Sequence, residues 1–309
     1  MPAPLPSVVA DLLRLAVVQK DDWDSALQQL LEVGCDLLDL DRVSYWRLTA
    51  DPSCLICELG YVRSKRVFER GGVVHERDCP EYFAEIRRVQ VLIVEDARTD
   101  PRVRGLDLYL ATRQVRALLD VPVFAKGQMI GVLCHERVDQ TGHWAPHDPE
   151  LALTLSHALS SLLAARARND AERGERQAAF LAQTAIALAA TLDPQRAAEI
   201  VVRRTIPVLG DMAALIGHDG QRSWRLAHAH ADAGGQQLLD ELCGRLNDHT
   251  AGAGLGVEAL RQRQSLLMPM TDPATLRAAG LSAEQLALIE RLRIRSVMSV
   301  LLRVRAEVI

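Results

Sequence analysis

Two apolar runs, residues 117–124 and 128–137, carry an aspartate and a histidine, Asp120 and His135, where neither residue type is at home. Between the runs stands Lys126-Gly127, a two-residue turn in which glycine supplies the positive φ of a hairpin. Pairing Ala125 with Gln128 sets Leu118 opposite His135 and Asp120 opposite Leu133. Asp120 and His135 then lie diagonally on one side of the sheet, with Leu119, Val121 and Cys134 on the other. On a covered face an acid and an imidazole are costly unless paired or bound to a ligand. Two readings follow: an Asp–His pair that braces the sheet, or two polar groups at the floor of a ligand cavity. A slip of one residue in the turn would separate them.

Other groups suggest less chemistry. Of six cysteines, Cys54 and Cys57 form the only C-x-x-C, and no second pair follows at zinc spacing. In a strand these two thiols face opposite sides, which fits buried free thiols in a reducing compartment. His228 and His230 share a strand face and His143 and His147 flank a helix start, each without a third metal ligand at readable spacing. The run Gly252-Ala253-Gly254-Leu255-Gly256 follows no strand and lacks the context of a phosphate loop. No nucleophile–base set stands out, so this stretch of chain reads as non-enzymatic.

The elements that must position these residues suit a two-domain protein of 309 residues. With 36 basic against 40 acidic residues and 4% aromatics, the chain offers no nucleic-acid surface. No apolar run reaches the ~20 residues of a membrane span, and residues 1–7 form no secretory signal; the expected location is cytoplasmic. Apolar spacing predicts a lead-in helix over 7–19 and a firmer one from Asp21 or Asp22 to Leu38. Strands follow at 43–48 and 54–62, a helix at 80–89, a strand at 91–94, a polar loop at 96–105 and then the hairpin. Asp148 opens a helix through Leu151, Leu155, Leu159 and Leu162 that continues past the charged stretch 166–176, loosened or kinked at Gly174, to Phe180, Leu181, Thr184 and Leu188. The second half repeats the order: a helix opened by Asp193-Pro194, strands at 212–216 and 223–229, helices at 238–246 and 257–263, a strand at 266–269, a helix capped by Ser282, a strand at 296–304. Residues 300–306 lie over 121–127, and 267–271 over 92–96, with Ala306 where Gly127 makes the turn. The second half stops at Ile309, the counterpart of Ile130, so a truncated second domain is expected.

Tyr109-Leu110, the run 117–123, Lys126-Gly127-Gln128-Met129-Ile130-Gly131-Val132-Leu133-Cys134-His135-Glu136 and His143-Trp144-Ala145-Pro146-His147-Asp148 together resemble a GAF domain of bacterial sensor proteins. The second half resembles one more diffusely, through residues 180–192, 229–232 and 292–296. The resemblance implies an α+β fold of two GAF-like domains, each a central antiparallel sheet flanked by helices, joined by a long helical linker. The divisions are a lead-in helix at 1–22, domain 1 at 23–165, linker at 166–178 and domain 2 at 179–309. It implies a sensory module that passes state through the linker to an output domain, a histidine kinase first, with a metal-dependent serine phosphatase or diguanylate cyclase as alternatives. A GAF-type methionine sulfoxide reductase using Cys54, Cys57 and Cys134 is the enzymatic alternative. Asp120, His135, Tyr109 and Leu118 are the expected binding residues for an unidentified small molecule between sheet and cap. No cofactor is named by the residues, no cysteine matches a bilin attachment position, and a homodimer through the linker helices is expected.

Overall fold

The computed structural model describes residues 23–308 apart from 51–52, 140, 219–222, 248–254, 279 and 305–306. The lead-in helix, residues 219–222 between the two expected strands, the start of the glycine run and Ala306 therefore lie outside the described residues. The chain divides into two compact units, residues 1–175 and 176–309.

The first unit is a mixed α/β fold built on one antiparallel sheet. Helix α1 (Trp23–Leu38) buries Leu27, Leu30, Leu31 and Leu38, one stripe at helical spacing. The strands are β1 (Arg42–Ala50), β2 (Ser53–Val62), β3 (Val67–Glu69), β4 (Val73–His75), β5 (Leu92–Val94), β6 (Val115–Ala125) and β7 (Gln128–Val138), in spatial order β3-β2-β1-β7-β6-β5 with β4 also on β2. Helices α2 (Pro80–Ile86) and α3 (Asp107–Thr112) sit between strands in the chain, and α4 (Asp148–Ala189) follows the sheet. Both faces are covered. On the helix side Val43, Tyr45, Leu119, Val121 and Leu133 pack with α1 and with Leu151, Leu155, Leu159 and Leu162 of α4. On the roof side Trp46, Leu118, Val132 and Cys134 pack with Tyr82, Phe83 and Ile86 of α2 and Leu110 of α3. A sheet buried on both faces explains why β6 and β7 read as continuous apolar runs rather than alternating ones.

The hairpin corrects the expected register. Lys126 (φ +50°) and Gly127 (φ +77°) form the turn, and Ala125 pairs with Gln128 as expected. One step later the ladder shifts: Phe124 pairs with Met129 but Val123 pairs with Gly131, so Ile130 is an extra residue. From there Asp120 faces Cys134, Leu119 faces His135 and Leu118 faces Glu136. The bulge inverts the faces of β7 relative to an uninterrupted ladder. His135 therefore lies on the helix side and Cys134 lies with Asp120 on the roof side, the reverse of the sequence expectation for both.

Helix α4 runs for 42 residues and includes Gly174, one helix across the charged stretch as the apolar spacing predicts. In the second unit α5 (Pro194–Thr205) is capped by Asp193, whose carboxylate accepts the Gln195 N–H at 3.0 Å. Then come β8 (Met212–His218), β9 (Ser223–His230), α6 (Ala233–Asn247), α7 (Leu255–Gln262), β10 (Leu266–Met268) and α8 (Pro273–Ala278). The unit ends in α9 (Ala283–Arg291), with a complete Ser282–Gln285 capping box, β11 (Val297–Ser299), β12 (Arg303–Val304) and β13 (Glu307–Val308). Among the described residues its strands pair as three two-stranded antiparallel ladders, β8-β9, β10-β11 and β12-β13, rather than one central sheet. No described helix is long and apolar enough to cross a membrane.

Candidate functional site

The layer between sheet and roof holds most of the buried polar side chains of the first unit. Asp120 leaves the middle of β6 and is 3% exposed. Helix α2 starts with proline at its first turn and places Tyr82 over it, so that the phenol donates to Asp120 Oδ2 at 2.6 Å. Asp120 Oδ1 has no hydrogen-bond partner among the described residues. Burial pushes the Asp120 carboxyl up to about 7, the Tyr82 bond pulling against it and the Glu136 charge adding to it. Burial, followed by Asp120 itself, drives the Tyr82 phenol well above its usual range.

A second group lies one row along the sheet. Arg42 of β1 and Glu136 of β7 are cross-strand partners, both 2% exposed, with Arg42 Nε 3.5 Å from Glu136 Oε2. Arg42 Nη2 is also 3.5 Å from Glu69 Oε2, and Arg113 closes on the same Glu69 carboxylate. Tyr109 of α3 donates to Glu136 Oε1 at 2.6 Å and sets its ring edge-on to Trp46 at 5.4 Å. The guanidinium carbons of Arg42 and Arg113 stand 5.9 and 5.5 Å from the centre of that ring. Gly60 gives Arg42 its place, since a Cβ there would sit 3.0 Å from Nη2. Arg42 Nε and Nη2 and Glu136 Oε2 are buried without a hydrogen-bond partner among the described residues. At about 1–3 kcal/mol for each buried group left unmade, such atoms are conspicuous.

Of the four residues expected to bind, the structure brings together Asp120, Tyr109 and Leu118, all on the roof side. It removes His135. That imidazole is fully buried on the helix side, its Nδ1 2.8 Å from the Leu119 carbonyl oxygen and its Nε2 unpartnered among the described residues. Burial holds it down to about 4, so it is neutral. The physical cause is the Ile130 bulge.

Sequence reasoning missed Arg42, Tyr82 and Glu136. Glu136 had a signal: a charged residue inside an apolar run, one place beyond His135. Arg42 had a weaker one, as the polar head of an apolar strand. Tyr82 had none, because the distance from α2 to β6 is set by tertiary packing.

All six cysteines are free and buried. Cys57 and Cys134 line the roof-side core, where burial pushes Cys57 up to about 11 and raises Cys134 well above its ordinary value. In the second unit His228 Nε2 meets Asp240 Oδ1 at 2.7 Å, and His230 Nδ1 accepts the Asp232 N–H at 3.1 Å. Among the described residues no three His, Cys, Asp or Glu side chains are grouped to hold a metal ion.

Residues 22–163 match the family model described as GAF domain, and a GAF domain is thus present in the first unit. No curated protein matches the chain. Among solved structures, the GAF domain of PixJ from Thermosynechococcus elongatus in its blue-light absorbing form is similar, with 18% identity over 53% of this chain and 94% of that one and a TM-score of 0.41. The GAF domain of a phosphoenolpyruvate-protein phosphotransferase from Coxiella burnetii is similar at 17% identity over 52% and 96%, TM-score 0.42. The free methionine-R-sulfoxide reductase from Neisseria meningitidis is similar at 14% identity over 54% and 95%, TM-score 0.42.

Proposed function

We propose that the GAF domain of this chain is a sensory module that holds a small molecule between its sheet and the α2–α3 roof. Its occupancy is passed along α4 to an output. One observation carries the reading: Asp120 Oδ1 is buried in that layer without a hydrogen bond among the described residues, beside an Arg42–Glu136 ion pair held at 3.5 Å. A purely structural layer would be expected to fill with apolar side chains, as the helix side largely does. Asp120, Tyr109 and Leu118 line the site, with Arg42, Tyr82 and Glu136 added to them.

The second unit, from about residue 179 after a linker at 166–178, is proposed as a second GAF-like module on the strength of its element order. The output is proposed to be a histidine kinase, and the protein to work in the cytoplasm as a homodimer paired along α4. The reductase alternative gains nothing from Cys57 and Cys134, because the nucleophile would be a thiolate and both are pushed away from ionisation.

The test is a fragment screen by thermal shift on the whole chain, followed by amide chemical shifts. Fragments that stabilise the protein should move the signals of Tyr82, Tyr109 and Asp120. Stabilising fragments that all act elsewhere would remove the sheet–roof layer as the site.

A further inference from the structure

Two phenols latch the roof to the sheet. Tyr82 of α2 donates to Asp120 and Tyr109 of α3 donates to Glu136, each at 2.6 Å. The two carboxyls differ in charge compensation. Glu136 faces Arg42 across β1 and β7, and the remaining carboxylate in reach of Arg42, Glu69, is shared with Arg113. Among the described residues Asp120 has no such cationic partner. The groups that act on it are Tyr82 from α2 and Glu136 and Cys134 from β7, none of them a cation, and β5 sets the apolar Leu92 opposite it. Beside Asp120 the roof-side row of the sheet runs through Cys134, Ser44 and Gly60, three small residues on three successive strands. The larger side chains Trp46 and Arg42 flank that row on β1.

We propose that the ligand of this layer is a small organic cation with N–H donors, of the amine, amidine or guanidine class, whose charged nitrogen bonds Asp120 Oδ1. The proposal rests on the reading of the sheet–roof layer as a ligand site. Among the described residues this buried carboxylate lacks a counter-charge, and beyond Tyr82 only the Cys134 thiol, a weak donor, is in reach of it; a cationic N–H supplies both the charge and a strong donor for Oδ1. A neutral amide would supply the donor alone. An anion would meet Asp120 and Glu136 while the nearby cation, Arg42, is already engaged by Glu136 and Glu69. The phenol of Tyr82 occupies one oxygen of Asp120 and orients the other.

The cation binds the ionised carboxyl, so binding displaces the proton that burial holds on Asp120 up to about pH 7. Affinity for a permanently charged ligand therefore rises as pH rises, roughly fivefold from pH 6 to pH 7, and levels off near pH 8.

The probe is methylguanidinium chloride, with sodium acetate and N-methylacetamide as anionic and neutral comparators, at constant ionic strength on the whole chain. Amide shifts of Tyr82, Tyr109 and Asp120 and the thermal midpoint are read together. Methylguanidinium is expected to move those signals and raise the midpoint with the stated pH dependence. Asp120→Asn should abolish the effect, while Tyr82→Phe, which removes the hydrogen bond that favours the ionised carboxyl and keeps the ring, should weaken binding at pH 7 and move its rise to higher pH. If acetate or N-methylacetamide acts at these residues as strongly as methylguanidinium, the cation class is wrong and the ligand site stands. If none of the three moves these signals, both ideas fall. Wild-type binding by Asp120→Asn would overturn the role of Asp120. Should that variant not fold, a pH dependence of methylguanidinium binding in Tyr82→Phe identical to wild type decides against the proposal.

Discussion

Asp120 and His135 lie on opposite faces of one hairpin, and burial moves their protonation in opposite directions. Asp120 rises from 3.8 to about 7, and the dominant cause is burial. Its folded form thus binds more protons than the unfolded chain between those values, and its contribution to stability, full below pH 4, is lost as pH climbs toward 7. His135 falls from 6.5 to about 4, again through burial. Its contribution is full above pH 6.5 and is lost as pH drops toward 4. Each is worth roughly 3–4 kcal/mol over its window, so the two slopes nearly cancel in the native protein between pH 4 and 6.5. Removing one exposes the other. Asp120→Asn should make stability, relative to wild type, increase with pH across that range, and His135→Gln should make it decrease. Urea denaturation at half-unit pH steps measures both slopes. Parallel curves for wild type and both variants would refute the opposed burial of the pair.

At the scale of elements, the hairpin shows what a sequence can and cannot specify. Its strands, its turn at Lys126-Gly127 and the pairing of Ala125 with Gln128 were legible from apolar runs and turn chemistry. The Ile130 bulge was not, because nothing in the local pattern of two fully buried strands distinguishes one face from the other. One extra residue therefore moved His135 out of the candidate site and left Asp120 and Tyr109 in it. Helix α3 and the short strands β3 and β4 fell below the length at which periodicity speaks. Gly131 stands beside the bulge and shows how tightly the register is held. A Cβ on it would lie 2.3 Å from the Trp46 carbonyl oxygen and 2.7 Å from Tyr45 Cε2, and a backbone atom cannot swing aside. Gly131→Ala should cost roughly 2–4 kcal/mol by forcing β1 and β7 apart. Gly127→Ala is the comparison: nothing lies within 4 Å of its Cβ position, and only its φ of +77° resists, at about 1–2 kcal/mol. Equal losses in chemical denaturation would mean that β7 does not press on β1 as described.

For the whole molecule the open link is how occupancy of the first unit would reach an output, and α4 is the element available for it. The apolar stripe of α4 has two parts with different fates. Leu151, Leu155, Leu159 and Leu162 are buried in the core of the GAF domain, so a glutamate at Leu159 or Leu162 would unfold that domain and say nothing about a partner. Further on, Leu181 and Ile186 are 66% and 72% exposed on the same helix. Residues 171–179 are exposed throughout, and a helix of that polarity gains little from packing on its own chain and is marginal without support. Pairing of two copies along α4 would provide the support and cover Leu181 and Ile186 together. Gly174 lies in this stretch with nothing within 4 Å of its Cβ position, so alanine fits there and should stabilise the helix by about 1 kcal/mol. If pairing is right, the double variant Leu181→Glu, Ile186→Glu keeps its circular dichroism and the thermal midpoint of its first unit but sediments at half the mass of wild type. Gly174→Ala sediments as wild type with a tighter dimer, because its helix is already formed when the copies meet. A wild-type chain that sediments as a monomer at all accessible concentrations, or a double variant of unchanged mass, would leave α4 as a single-chain connector and place any pairing surface elsewhere.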